Sequence, residues 1–103
     1  MLAPVITNNL HKIKNICQEH YVKELYVFGS ASRNEMKEDS DVDFLYTMQD
    51  DVPEMKYADN FFDMLWAFEA LFGKKVDMVP EKNLRNRIFI EEVNNTKQII
   101  YKA

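Results

Sequence analysis

The chain has 103 residues, the length of one small domain, which predicts a single domain over residues 1–103. Hydrophobic residues make up 47% and charged residues 29%, so the disordered, collagen-like and coiled-coil classes are excluded. The net charge is −4 and the 13 basic residues are scattered, so the basic stripe that direct nucleic-acid binding needs is missing.

The apolar pattern predicts alternating helices and strands. Apolar residues three or four apart indicate helices, and short apolar runs indicate strands. In chain order, the predicted elements are a helix over Val5–His20, a strand over Leu25–Phe28, a loop or short helix over 30–40, a strand over Val42–Met48, a helix over Glu54–Phe72 with Pro53 before it and Gly73 after it, a strand over Lys75–Val79, a helix over Glu81–Val93 and a short strand over Gln98–Tyr101. This order predicts an α/β (α+β) fold in which helices flank a small mixed sheet.

The cysteine count and the apolar runs limit the class of protein further. One cysteine, Cys17, excludes an internal disulfide framework and a cysteine-based zinc site. Residues 1–10 lack a basic segment followed by an apolar one, and no apolar run reaches the ~18 residues typical of a membrane span. We therefore expect a cytoplasmic protein without a membrane segment.

Small residues are concentrated in one loop. Gly29 is one of only two glycines and follows the first predicted strand directly, and all three serines lie between residues 30 and 40. Glycine allows backbone N–H groups to approach an anion, Ser30 adds a hydroxyl, and the planar guanidinium of Arg33 suits phosphate oxygens. A helix that begins here would also favour a phosphate at its N-terminus. The loop therefore predicts a phosphate-binding turn, and an ordinary strand-to-helix turn is the alternative.

Three aspartates fall on two predicted strands. Asp41 and Asp43 are two residues apart, so their carboxylates point the same way, about 6.7 Å apart. They repel each other unless a cation lies between them, and Mg²⁺ prefers carboxylate oxygens together with waters and substrate phosphates. Asp77, between apolar neighbours on the third strand, joins them if that strand lies beside the second. Three carboxylates then form a two-metal site for in-line displacement at phosphorus. Exposed turn, edge-strand or strand-end aspartates are the alternatives.

Together these motifs resemble those of a known family. Gly29-Ser30-Ala31-Ser32-Arg33 through Ser40-Asp41-Val42-Asp43 resembles the GSxxR…SDxD signature of the minimal nucleotidyltransferases, which belong to the DNA polymerase β-like superfamily. Lys75-Val76-Asp77-Met78-Val79 resembles the third-carboxylate strand of that family. The resemblance covers nearly the whole chain and implies the minimal polymerase β-like fold. Asn34 is a departure, because many relatives have glycine there.

The resemblance implies a role for each motif residue. It implies an enzyme that uses ATP as substrate and two Mg²⁺ ions, with Ser40 orienting its loop and Asp77 able to accept the proton of the attacking hydroxyl. The implied nucleotide-binding residues are Gly29, Ser30, Arg33 and Ser40, and the implied catalytic and metal-binding residues are Asp41, Asp43 and Asp77.

The resemblance also implies a biological setting. Small stand-alone members of this family are often antitoxins that transfer AMP to a tyrosine of a HEPN-domain toxin, as in type VII-like systems. Binding to the toxin without catalysis is the alternative function, and a small-molecule hydroxyl is an alternative acceptor. The expected partners are the toxin and ATP, without nucleic acid or membrane, and a homo-oligomer is left open. The aromatic helix with Phe61, Phe62, Trp66 and Phe72 is either an interface or part of the core.

Overall fold

The computed structural model describes all 103 residues and contains one four-stranded sheet with helices on both faces. Single 3-10 turns at Glu54–Lys56 and Glu81–Asn83 precede the last two helices. The helices and strands are, in chain order, α1 (Pro4–Thr7), α2 (Leu10–Glu19), β1 (Val22–Phe28), α3 (Ser30–Arg33), β2 (Val42–Met48), α4 (Tyr57–Phe72), β3 (Val76–Pro80), α5 (Arg87–Thr96) and β4 (Gln98–Lys102). The predicted fold class is confirmed.

The strand order is β3-β2-β1-β4, which makes β1 a central strand as its apolar run indicates. β1 is antiparallel to both β2 and β4, whereas β2 and β3 are parallel. The parallel pair needs a crossover, and α4 supplies it. The sheet is therefore mixed, and its parallel half carries two of the predicted aspartates.

The larger core lies between the sheet and helices α2 and α4. It contains 17 buried residues, and the ring of Phe44 lies 5.0 Å from that of Phe68 and 5.9 Å from that of Phe72. Cys17 of α2 is fully buried here, and burial raises the pKa of its thiol to about 12. Cys17 is therefore a packing residue and not a reactive thiol.

The smaller core lies under α5, on the opposite face of the sheet. Its fully enclosed members are Phe28, Leu45 and Val93, and the ring of Phe28 meets Phe89 edge-on at 5.8 Å. Because side chains alternate along a strand, Leu45 and its neighbour Phe44 point to opposite faces. One helix covers this face, so its edges stay open to solvent.

The helix predicted over Val5–His20 is wrong at its middle, where Asn8 and Asn9 separate α1 from α2. Asn9 donates from Nδ2 to the carbonyl oxygen of Val5 at 2.8 Å. Asparagine side chains compete in this way with the backbone hydrogen bonds of a helix. The break allows the short α1 to pack Ile6 into the core independently of α2.

The helix predicted over Glu81–Val93 begins later and ends later than expected. It starts at Arg87 because Asn86 is the N-cap, whose Oδ1 accepts a hydrogen bond from the Phe89 N–H at 3.1 Å. It continues to Thr96, one turn past the predicted end. This last turn reaches the predicted phosphate-binding loop. The end of α4 is as predicted, since Gly73 takes the left-handed conformation (φ 64°).

No helix of the protein combines the length and the apolar character that crossing a membrane requires. The expected cytoplasmic location stays a prediction.

Candidate active site

Two of the three predicted aspartates face each other across the parallel strands. Asp43 of β2 and Asp77 of β3 are register partners, so both side chains project from the same face of the sheet. Val79 and Leu45, the next residues on that face, belong to the core under α5. The carboxylate pair therefore lies on the α5 face, beyond the edge of its apolar core.

Asp41 lies in the loop one residue before β2, which begins at Val42. The prediction that Asp41 and Asp43 lie on the same strand is therefore wrong. Its side chain is exposed, as is that of Asp77, whereas Asp43 is half-buried. Lys74 helps to fix the preceding loop, because its Nζ donates to the carbonyl oxygen of Glu38 at 2.8 Å. Asp41 thus enters the site from a loop held against the start of β3.

The site has strong uncompensated negative charge. The pKa of Asp43 is raised to about 6, first because the carboxyl is partly desolvated and then because Asp77, Asp41 and Glu92 repel its charge. The ion pair that the structure contains lies elsewhere, between Arg33 and Glu35. Carboxylates gathered without a protein cation are suited to an external cation.

The donor set fits Mg²⁺ that shares its ligands with a substrate. No three His, Cys, Asp or Glu side chains converge closely enough to hold one ion by themselves. Mg²⁺ is usually held by one or two carboxylates together with waters and substrate phosphates, so such a cage is not required. Asp43 and Asp77 would supply the paired oxygen donors for such an ion, and Asp41 would supply a third from its loop. The arrangement is that of a site completed by phosphate oxygens.

The Gly29 turn lies directly against the Asp43 carboxylate. Gly29 has φ 69° and ψ −147°, which is a conformation that residues with a side chain rarely adopt. A Cβ added to it would lie 2.7 Å from Oδ2 of Asp43. The turn and the carboxylates therefore form one site, and glycine is required both by the backbone and by the close approach.

The N–H of Gly29 has a partner within the protein. It donates to Oγ1 of Thr96 at 3.2 Å, so a protein group already satisfies it. The expected helix is also short, since α3 has four residues and adds little dipole. Ser30 is half-buried, and its N–H at the first position of α3 has no intrahelical acceptor. Ser30 is thus the residue of the turn with polar groups left for a ligand.

Arg33 and Ser40 flank the turn without touching the carboxylates in this structure. Nε of Arg33 lies 3.5 Å from Oε1 of Glu35 in an exposed pair, which is a weak interaction. Oγ of Ser40 accepts a hydrogen bond from the Lys37 N–H at 2.8 Å and so closes the turn before Asp41. Asn34 takes the left-handed conformation (φ 56°) that its glycine-like position demands.

Thr96, Gln98 and Glu92 contribute to the site and were missed in the sequence. Thr96 binds the Gly29 N–H, Gln98 donates to the carbonyl oxygen of Ser32 at 2.6 Å, and Glu92 raises the pKa of Asp43. One signal was available for Thr96. It continues the line of Phe89 and Val93 at helical spacing, and a polar residue on such a line needs a buried partner.

The carboxylates lie on an open surface and not in a cavity. The largest cavity, of about 370 Å³, lies at the other end of β2 and is lined by Thr47, Met48, Tyr57, Lys82 and others. A second cavity, of about 260 Å³, lies beside the start of α4. Neither is lined by an aspartate of the site, so the protein by itself does not enclose a reactant there.

The nucleotidyltransferase domain family matches residues 10–101 of the sequence. The chain belongs to this family. It is similar to the protein adenylyltransferase MntA of Thermococcus cleftensis, with 38% identity over 78 residues that cover 76% of this chain and 74% of the relative. The predicted enzyme class, a nucleotidyltransferase with protein adenylyltransferase relatives, is confirmed.

Solved structures agree on the fold. A structure described as a minimal nucleotidyltransferase has 28% identity and a TM-score of 0.74, and the match covers 95% of each chain. A complex of a tri-AMPylated HEPN toxin with its MNT antitoxin, from Shewanella oneidensis, contains a chain with 15% identity and a TM-score of 0.63. That match covers 94% of this chain and 72% of the other, and at this identity it shows the fold alone.

Proposed function

We propose that the protein is an antitoxin that transfers AMP from ATP to a hydroxyl, that of a tyrosine, on a HEPN-domain toxin. The observation that carries this proposal is the register of Asp43 with Asp77 beside the Gly29 turn. This geometry puts a turn suited to phosphate beside a pair of carboxylates suited to a metal ion, on one open surface. The adenylyltransferase relative and the AMPylated toxin complex support the choice of AMP and of partner.

The nucleotide is held by the turn and the carboxylates together. The triphosphate lies over Ser30, whose N–H and hydroxyl face it, with Arg33 free to leave its weak exposed pair and bind phosphate oxygens. Asp41, Asp43 and Asp77 would hold two Mg²⁺ ions, which would supply positive charge to neutralise the phosphates and the attacking and leaving oxygens. Gly29 keeps the turn close to Asp43 because nothing larger fits between them.

The reaction is an in-line displacement at the α-phosphorus. The acceptor oxygen forms a bond to that phosphorus, the bond to the β-phosphate oxygen breaks, and pyrophosphate leaves with the electron pair. Asp77 is suited to take the hydroxyl proton, because it is exposed on the edge strand β3 where an acceptor can approach. Asp43 is half-buried and faces Gly29, so its role is to bind and position.

The open surface favours a protein acceptor over a small molecule. Small substrates are usually held in concave pockets that bury most of their surface. Neither cavity of this protein is lined by Asp41, Asp43 or Asp77. A folded partner brings its own walls and can exclude water from the site when it docks.

An exposed aromatic pair on α4 is the proposed contact for that partner. Trp66 is 60% exposed and Phe62 is 47% exposed, and their rings lie 5.8 Å apart. Of the four aromatic residues considered in the sequence, Phe72 is buried and Phe61 is half-buried. The helix is thus partly core and partly free surface, and exposed aromatic residues of this kind dominate the energy of protein interfaces.

Intact-mass spectrometry of the toxin after incubation with the protein, ATP and Mg²⁺ tests the transfer. We expect the toxin to gain one or more AMP units. Asp43→Asn and Asp77→Asn should lower the rate by about 100–1,000-fold or more, because charge stabilisation in the transition state is lost. Asp51→Asn, an exposed acid in the loop after β2, is the matched control and should act like the wild type.

Each result decides a different part of the proposal. Wild-type transfer rates in Asp43→Asn would overturn the carboxylate assignment. Neutralisation of the toxin without any gain in mass would favour the alternative, in which binding alone inhibits the partner.

Binding of the toxin to Trp66→Ala tests the proposed contact on α4. We expect the Kd to rise by about 30-fold, the effect of losing an aromatic anchor at an interface. Met55→Ala is the control, because Met55 is 97% exposed in the 3-10 turn before α4, at the end of β2 away from Asp43. Equal effects of the two substitutions would contradict a specific role for α4. Size-exclusion chromatography of the free protein reports whether it forms a homo-oligomer.

A further inference from the structure

Two polar side chains from the junction of α5 and β4 hold the Gly29 turn. Oγ1 of Thr96, the last residue of α5, accepts a hydrogen bond from the Gly29 N–H at 3.2 Å. Nε2 of Gln98, the first residue of β4, donates to the carbonyl oxygen of Ser32 at 2.6 Å. The turn is thus bonded at both ends by residues 66 or 67 positions later in the chain.

The Thr96 hydroxyl is oriented to serve as this acceptor. Its own proton goes to the carbonyl oxygen of Glu92 at 3.0 Å, one turn earlier in α5, which leaves a lone pair for Gly29. Thr96 is only 8% exposed, so water cannot readily replace it. Without this oxygen, the Gly29 N–H would be left unpaired in a buried place, which is destabilising for the turn.

The hydrogen bond from Gln98 fixes the other end of the turn, at Ser32. Ser32 is fully buried, and its Oγ donates to the carbonyl oxygen of Gly29 at 2.7 Å. Because Gln98 bonds the carbonyl oxygen of the same serine, the two ends of the turn are linked through Ser32. Ser30 lies between these ends, so the direction of its backbone N–H is fixed.

We infer that Thr96 is a positioning residue for the nucleotide, with Gln98 as the second support. Thr96 acts on Ser30 through the backbone of the turn, because its hydrogen bond goes to the N–H of the neighbouring Gly29. The inference rests on the proposed function, since it assumes that the turn binds the triphosphate of ATP. It assigns to the end of α5 and the start of β4 control over ATP affinity.

Kinetics of AMP transfer by Thr96→Val test this role. The variant keeps the shape of the side chain and loses the acceptor oxygen. We expect the KM for ATP to rise about tenfold, the size of one lost hydrogen bond, while kcat changes less than about twofold. Thr96→Ser restores the hydroxyl and should restore a KM close to the wild-type value.

Val93→Ala is the matched control for lost stability. It removes methyl groups from a fully buried residue of the same helix and leaves the bonds of the turn intact. We expect its thermal midpoint to fall and its KM for ATP to stay unchanged at a temperature where it is folded. An equal rise of KM in Val93→Ala, or an unchanged KM in Thr96→Val, would overturn the inference.

Amide hydrogen exchange of Gly29, measured by NMR without nucleotide, separates this inference from the proposed function. In Thr96→Val the Gly29 amide should exchange about tenfold faster than in the wild type, because it has lost its acceptor. Unchanged exchange would overturn the inference even in an active enzyme. A wild-type protein that transfers no AMP would overturn the proposed function. The exchange rates would still show whether the Gly29 N–H bonds to Thr96.

Discussion

The two faces of the sheet differ in what they hold. The face under α2 and α4 contains 17 buried residues, whereas the face under α5 encloses three. The thinly covered face carries the aspartates of the site, and Glu92 of α5 adds to their repulsion. Burial of apolar surface is the dominant stabilising contribution to folding, so the large core can offset the repulsion that the small face tolerates. One face of the sheet thus provides most of the stability, and the other carries the residues of the candidate active site.

Phe68→Ala should have the largest effect on stability, because it removes a fully buried ring from the face under α4. We expect the free energy of unfolding to fall by about 3–5 kcal/mol, measured by urea denaturation. Phe62→Ala on the same helix is the control, and because Phe62 is half-exposed its effect should stay within about 0.5 kcal/mol. Similar losses of unfolding free energy in Phe68→Ala and Phe62→Ala would contradict the claim that the buried face under α4 stabilises the protein.

Gly29→Ala, compared with Gly73→Ala, tests how closely the turn packs against Asp43 on the face under α5. Both glycines have positive φ, of 69° and 64°, so both variants should lose stability to backbone strain, and at the left-handed Gly73 the loss should be about 1 kcal/mol. Gly29→Ala should lose more, because its Cβ would lie 2.7 Å from the Asp43 carboxylate, whereas nothing lies within 4 Å of Gly73.

Only Gly29→Ala should also abolish ATP binding, measured by calorimetry. Loss of ATP binding in Gly73→Ala as well would show that backbone strain disturbs the whole fold. It would contradict a local role of Gly29 in ATP binding.

The smallest expected effect is on the pH dependence of stability. The pKa of Asp43 is raised to about 6 in the folded protein, above the ~3.9 of an unfolded chain. The folded state therefore binds more protons between these values, and stability falls as pH rises from about 4 to 6. Asp43→Asn removes the titrating carboxyl and therefore this fall in stability. Because the carboxyl is half-exposed, we expect a thermal midpoint only about 2–5 °C above the wild type at pH 7.

The control for this effect is the same pair of proteins at pH 4, where the two thermal midpoints should converge. Mg²⁺ should stabilise the wild type more than Asp43→Asn at pH 7 and so narrow the difference. A variant less stable than the wild type at pH 7 without Mg²⁺ would show that Asp43 is not repelled by its neighbours.

Much of the fold could be predicted because local patterns report local structure. β2 has the predicted bounds, and Gly73 ends α4 in the left-handed conformation because that position favours glycine. The errors have local causes as well. Asn8 and Asn9 interrupt the first helix, and the N-cap at Asn86 delays the start of α5. Side-chain competition with the backbone outweighed helical spacing at these places.

The sequence by itself determined the class of the fold, the strands that carry Asp43 and Asp77, and the turn at Gly29, because apolar period and motif spacing act over a few residues. Only the tertiary structure decided which strands are neighbours and which groups remain for a ligand. The Gly29 N–H donates to Oγ1 of Thr96, 67 residues away. No local pattern contains such a contact, since it depends on how α5 packs across the sheet.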